Sequence, residues 1–152
     1  MQFVSSYQIF KEKRFIVEYH EGIGDLKKIK AFKLKESDDQ NYSPNFDLLM
    51  DIRHTTVKGV KSDVEEYIEF ANSHKGISGK RKLAVITSKP RHVVFFTFLN
   101  MFPSKLPQSM KLFSSIEAAI FWLGEPLKLD EVKSCLDNLK NKARTCLTES
   151  LD

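Results

Sequence analysis

The chain is poor in the residues that announce a chemistry. It holds only two cysteines, Cys135 and Cys146. No CxxC pair or Cys/His cluster occurs, so the usual spacing of a structural zinc site is excluded. The four histidines, His20, His54, His74 and His92, show no metal-ligand spacing. If both cysteines lie on one helix, the eleven-position step from Cys135 to Cys146 amounts to about 16 Å at ~1.5 Å per residue. A disulfide needs Cα atoms within about 7 Å, so two reduced thiols are expected.

Glycine is sparse as well, and its one suggestive cluster is Gly22-Ile23-Gly24. This cluster follows a strand pattern and precedes a helix pattern, where a pyrophosphate could rest on a helix N-terminus. The third glycine of a dinucleotide fingerprint, however, falls at Lys27, and Asp25 sets a negative charge where phosphate would sit. The segment therefore reads as a turn followed by a capped helix. No uncharged apolar stretch approaches the roughly 20 residues that span a bilayer. The start, MQFVSSYQIFKEKR, lacks a basic segment followed by a long apolar run. A cytoplasmic protein without a membrane span is expected. The net charge of +4 is too small to imply nucleic acid by itself.

Phenylalanine, with twelve copies in 152 residues, is abundant. Val4 to Phe10 and Arg14 to His20 read as two strands of a hairpin. In the second, Phe15, Val17 and Tyr19 share one face, and Ile16, Glu18 and His20 the other. Asp25 caps a helix running to about Glu36, with Leu26, Ile29 and Phe32 or Lys33 on one side. Phe46 to Ile52 is a buried strand of the kind found in parallel sheets. Ser62-x-x-Glu65 is a capping box before an amphipathic helix carrying Val64, Tyr67, Ile68 and Ala71. Leu83 to Thr87 is another strand, Pro90 opens a helix from Arg91 to Phe102, and Met110 to Phe113 is a short strand. Ser114-x-x-Glu117 is a second capping box, for a helix from Ile116 to Leu123 that ends at Gly124. A terminal helix from Leu129 carries a stripe of Val132, Leu136, Leu139 and Ala143. Alternation of this kind predicts an α/β fold with one mixed, mostly parallel sheet of about five strands and right-handed crossovers.

The strand FDLLMDIRHT, the strand LAVITSKP and the segment KLFSSIEAAIFWLG resemble the STAS-like superfamily. That group includes the bacterial anti-sigma-factor antagonists and, more distantly, the CRAL-TRIO lipid-transfer domains. The matching positions are Asp51, Arg53, Glu117, Ala118 or Ala119, Trp122, Leu123 and Gly124. The resemblance spans about residues 4 to 125. It implies a STAS-like domain over 1–125, with residues 126–152 as a C-terminal amphipathic helical extension, and commonly a binding role without catalysis. The phosphorylatable Asp-Ser-Ser-Gly stretch of the antagonists is missing. RHTTVKGVKS stands there, with Thr55, Thr56 and Ser62 as the nearest hydroxyls.

Two groups of residues are candidates for a ligand- or partner-binding site. Asp51, Arg53, His54, Thr55 and Thr56 fall at the carboxyl end of a strand, where ligands bind in open α/β sheets. A structural reading, with Asp51 paired to Arg53 or capping a turn, competes with it. Phe95, Phe96, Phe98 and Phe102, with their apolar neighbours, leave the third helix almost no polar side. Such a helix needs cover on more than one face, from a second copy and from the C-terminal helix jointly, or from a greasy ligand. The lysines of KKIKAFKLK and the cluster Lys80, Arg81, Lys82, Lys89, Arg91 read first as solvated faces, with a phosphate backbone as the lesser alternative. A non-catalytic, self-associating interaction module with a homodimer or another protein as partner is the leading expectation. A small hydrophobic ligand comes next, weak nucleic-acid binding after it, and no cofactor or metal is called for.

Overall fold

Short apolar runs alternate with amphipathic segments because each strand of a parallel sheet needs a helix to return the chain. The computed structural model describes residues 1–58, 61–101 and 106–149, and it resolves these runs into one sheet of five strands in the order β1-β2-β3-β4-β5. The strands are β1 (Val4–Phe10), β2 (Phe15–Ile23), β3 (Asp47–Thr56), β4 (Lys82–Ile86) and β5 (Ser109–Phe113). Only β1 runs antiparallel to its neighbour; β2 through β5 are parallel. The helices are α1 (Leu26–Ser37), α2 (Lys61–Ser73), α3 (Pro90–Met101), α4 (Ile116–Trp122) and α5 (Leu129–Glu149). The predicted order of elements and the mixed, mostly parallel sheet are both observed. Among the described residues, no helix is long and apolar enough to cross a membrane.

Local chemistry sets the helix ends. The Asp25 carboxylate accepts from the Lys27 amide at 2.9 Å and caps α1 as expected. For α4 the cap is Ser115, not Ser114: its hydroxyl accepts from the Ala118 amide at 3.2 Å. Gly124, at φ +81°, closes α4, with the amide of Glu125 bonded to the Ile120 carbonyl and that of Gly124 to Phe121. Helix α2 begins at Lys61, so Ser62 lies inside its first turn. Gly22 belongs to β2, at φ +96°, and the Gly24 amide bonds the Thr56 carbonyl.

The strands advance across the sheet in sequence order, and right-handed crossovers then place every crossover helix on one face. Accordingly α2 and α3 pack on that face over Ile16, Leu48, Leu83 and Val85. The opposite face, with Phe15, Val17, Tyr19, Leu49 and Ile86, is covered by α4 and α5. The expected stripe of α5 is buried there, on β1, β2 and α4. Cover of α3 by the tail helix is thereby overturned, because the two lie on opposite faces of the sheet. Helix α3 instead shields one side only: Phe96 and Leu99 are buried and Phe95 half-buried, while Val93, Val94 and Met101 are exposed. The side chain of Phe98 and all of Phe102 lie outside the described residues. Both cysteines sit on α5 as free thiols, Cys135 buried and Cys146 exposed.

Strand β3 extends four residues past its predicted end at Ile52, so His54, Thr55 and Thr56 belong to the strand and not to a following loop. It carries one extra residue relative to β2. Tyr19 pairs with Asp51 but Glu21 pairs with His54. Such a bulge shifts the alternation of side chains between faces.

Candidate functional site

Beneath α1, α2 and α3 the packing leaves a chamber of about 180 Å³. Its walls are apolar, with Ile29 from α1, Ile52 from β3, and Phe95, Phe96 and Leu99 from α3 among them. His20, Lys33, Thr55, Lys58, Asp63, Tyr67 and Gln108 add polar and charged groups. Several of the wall side chains, Met50, Tyr67, Phe95 and Met110 among them, are only half-buried.

The polar wall is built across the β2–α1 crossover. Glu18 and His20 alternate with Val17 and Tyr19 on β2, which puts them on the chamber face. Lys33 follows Ile29 by one helical turn and so points the same way. Its ammonium bonds the Glu18 carboxylate and lies 3.8 Å from Glu36. The other Glu18 oxygen accepts from His20 Nε2 at 2.8 Å, and the Ser5 hydroxyl completes the imidazole at Nδ1, 2.7 Å away. Burial pushes the Glu18 carboxyl up, but the charge of Lys33, then the bond and charge of His20, overcome it. Glu18 sits well below the usual carboxylate range. Burial likewise works against the Lys33 ammonium, yet Glu18 and Glu36 hold it above the ordinary lysine value. For Glu36, burial and then the charge of Glu18 push the carboxyl well above its ordinary value. A lysine held protonated in this way is no nucleophile.

A small annex of about 20 Å³ shares Lys33, Met50, Tyr67, Leu83, Leu106 and Gln108 with the chamber. Tyr42, Ser78 and Arg81 add polar groups to it, and Leu48, Ala71 and Ile77 apolar ones. Arg81 is 7% exposed. Its Nε donates to the Pro44 carbonyl at 2.7 Å and its Nη2 to the Tyr42 hydroxyl at 2.5 Å. It forms no ion pair among the described residues.

The residues predicted at the end of β3 divide between the two faces. Asp51 and Arg53 form a bidentate pair, at 2.9 and 2.8 Å, on the α4–α5 side of the sheet beside Tyr19. His54 lies over the Tyr19 ring at 6.4 Å. There Glu21 accepts from Tyr19 Oη at 2.5 Å and from Arg144 at 3.2 and 3.3 Å. Burial raises the Glu21 carboxyl, and these bonds more than offset it, leaving Glu21 below its ordinary value. Thr55, by contrast, lines the chamber with Phe95 and Phe96. Its carbonyl accepts from Lys89 Nζ at 2.7 Å and His92 Nε2 at 2.9 Å, which ties β3 to the start of α3. The Thr55 hydroxyl has no hydrogen-bond partner among the described residues. Thr56 is exposed.

Glu18, His20, Lys33, Tyr67, Arg81 and Gln108 were not singled out by the sequence as site residues. The signal available was periodicity: Glu18 and His20 share a strand face with Ile16, and Lys33 continues the stripe of Leu26 and Ile29.

No family model matches the chain, and no curated protein matches it. Among solved structures it is similar to an uncharacterized protein of the DUF3478 family with a SpoIIAA-like fold, from Shewanella loihica PV-4. The TM-score is 0.52 and the identity 15%, over 80% of this chain and 93% of that one. The sheet order, the crossover helices and this likeness give the chain a SpoIIAA-like, that is STAS-like, fold.

Proposed function

We propose that the protein is a non-catalytic binding module whose chamber takes a small, largely apolar molecule. The observation that carries this reading is an apolar space of about 180 Å³ walled by half-buried side chains. Well-packed interiors leave few voids larger than a water, and a dry engineered cavity of about 150 Å³ holds benzene. Lys33 is held charged, and burial pushes the Cys135 thiol up to about 11.

Toluene at millimolar concentration should shift the backbone amide resonances of Ile29, Ile52 and Leu99 saturably in NMR titration. Leu99→Phe, which places extra bulk in the same wall, should weaken that binding by roughly tenfold, since about 1.4 kcal/mol is a tenfold change. Unmoved resonances at saturating toluene would dispose of the chamber as a binding site.

Self-association through α3 is a second reading, favoured by the exposure of Val93, Val94 and Met101, at 46%, 55% and 71%. Exposed apolar side chains grouped on one helix are where such a contact would form. Light scattering should give a dimer mass at high micromolar concentration, and Val94→Asp should return it to a monomer. A monomer mass for the unmodified chain at that concentration removes this reading.

A further inference from the structure

Resting on the chamber reading, we propose that the annex takes the carboxylate of a small hydrophobic acid whose apolar part fills the chamber. The two spaces are neighbours, sharing six wall residues. An annex of about 20 Å³ admits one oxygen of the carboxylate, since a water needs about 10–15 Å³ of such volume, and the rest of the acid stays in the chamber. Its polar groups are chiefly donors. Arg81 and Lys33 carry only N–H groups. Arg81 has two of its nitrogens committed to neutral acceptors and, among the described residues, no carboxylate. The Tyr67 hydroxyl and the Gln108 carboxamide line both spaces and make no hydrogen bond among the described residues.

Electrostatics point the same way. A buried charge without a partner is costly, and a buried guanidinium is matched best by a planar carboxylate. Glu18 is held by Lys33 and His20, and Arg81, bonded to the Pro44 carbonyl and the Tyr42 hydroxyl, makes no ion pair among the described residues. An amine at the same place would face two like charges, and a hydrocarbon would leave Arg81 as it is.

Three molecules of matched shape separate the cases: toluene, benzoate and benzylamine, titrated by NMR into the full chain at neutral pH. Benzoate should bind at least about tenfold tighter than toluene, as a charge-assisted bond contributes ~1.5–3 kcal/mol. Benzylamine should bind most weakly. Tyr67→Phe removes one hydroxyl with little change of shape, and it should lower benzoate affinity several-fold with toluene affinity kept. Arg81→Gln should abolish the benzoate preference, and Tyr67→Phe serves alone if that protein does not fold. Toluene binding as tightly as benzoate, or benzylamine binding more tightly, overturns the acid and leaves the chamber standing. The same holds for a benzoate-to-toluene ratio unaltered in Tyr67→Phe. If neither toluene nor benzoate moves a chamber resonance, the chamber reading itself is lost.

Discussion

Replacing Lys33 by methionine should destabilise the protein by about 3–5 kcal/mol at pH 7, the usual consequence of removing one partner of a buried ion pair. The side chains of Glu18 and Lys33 are 0% and 8% exposed, so water cannot take over the lost contact. In the unmodified chain the Glu18 carboxyl is depressed by folding. It therefore contributes stability above the unfolded-state value of ~4.3 and loses it as pH falls through the folded one. Without Lys33, the burial of Glu18 dominates and its folded-state value rises. The sign reverses: the variant's Glu18 contribution falls as pH rises. The difference between the two proteins should accordingly be largest above pH 6 and shrink toward pH 4. Glu36, raised by its burial, contributes stability below that same unfolded-state value and loses it as pH rises through the folded one. The double variant Glu18→Gln, Lys33→Met should be more stable at pH 7 than Lys33→Met alone, since no buried charge is left unpaired. Urea denaturation across this pH range measures all three quantities. A Lys33→Met penalty below about 1 kcal/mol that is flat with pH would contradict the buried pair.

Removing residues 127–152 should abolish cooperative folding. Helix α5 buries Val132, Cys135, Leu136, Leu139 and Ala143 against the face that presents Phe15, Val17 and Tyr19, and Leu127 joins them. Each large apolar side chain contributes ~1.5–3 kcal/mol on burial. Together with the strand residues laid bare, the loss exceeds the ~5–15 kcal/mol by which a domain is stable. The helix is also tied by polar contacts: the Ser6 hydroxyl donates to the Leu139 carbonyl at 2.7 Å, and Arg144 pairs with Glu21. The truncated chain should give collapsed amide dispersion in an NMR spectrum and no sigmoidal thermal transition. A well-dispersed spectrum from it would show that β1, β2 and α4 close that face unaided.

The fold was legible in the sequence because periodicity and helix signals are local. Asp25, Pro90 and Gly124 mark helix ends within a residue or so, and the strand–helix alternation fixes the parallel sheet. What lay hidden depends on contacts distant along the chain. In KKIKAFKLK the five lysines look alike, yet Lys33 alone is buried, with its partner, Glu18, across the crossover, 15 residues back. Arg81 sits in a basic cluster whose neighbours Lys80 and Lys82 are exposed. Its contacts, Pro44 and Tyr42, lie 37 and 39 residues earlier. The end of β3 was misread because its last residues are polar. The strand continues there because β2 pairs with it as far as Thr56. Polarity at a strand end describes what faces solvent, and backbone pairing decides where the strand stops.

The additional residue of β3 opposite His20 has a consequence for what a bound molecule would meet. With it, His54 joins Glu21 on one side and Thr55 turns, opposite Gly22, toward the chamber. Had the two strands paired in regular register instead, Arg53 would stand opposite Glu21 and His54 opposite Gly22, putting an imidazole into the greasy space. One peptide unit thus determines whether the lumen is lined, at this point, by an aromatic ring or by a small hydroxyl-bearing side chain.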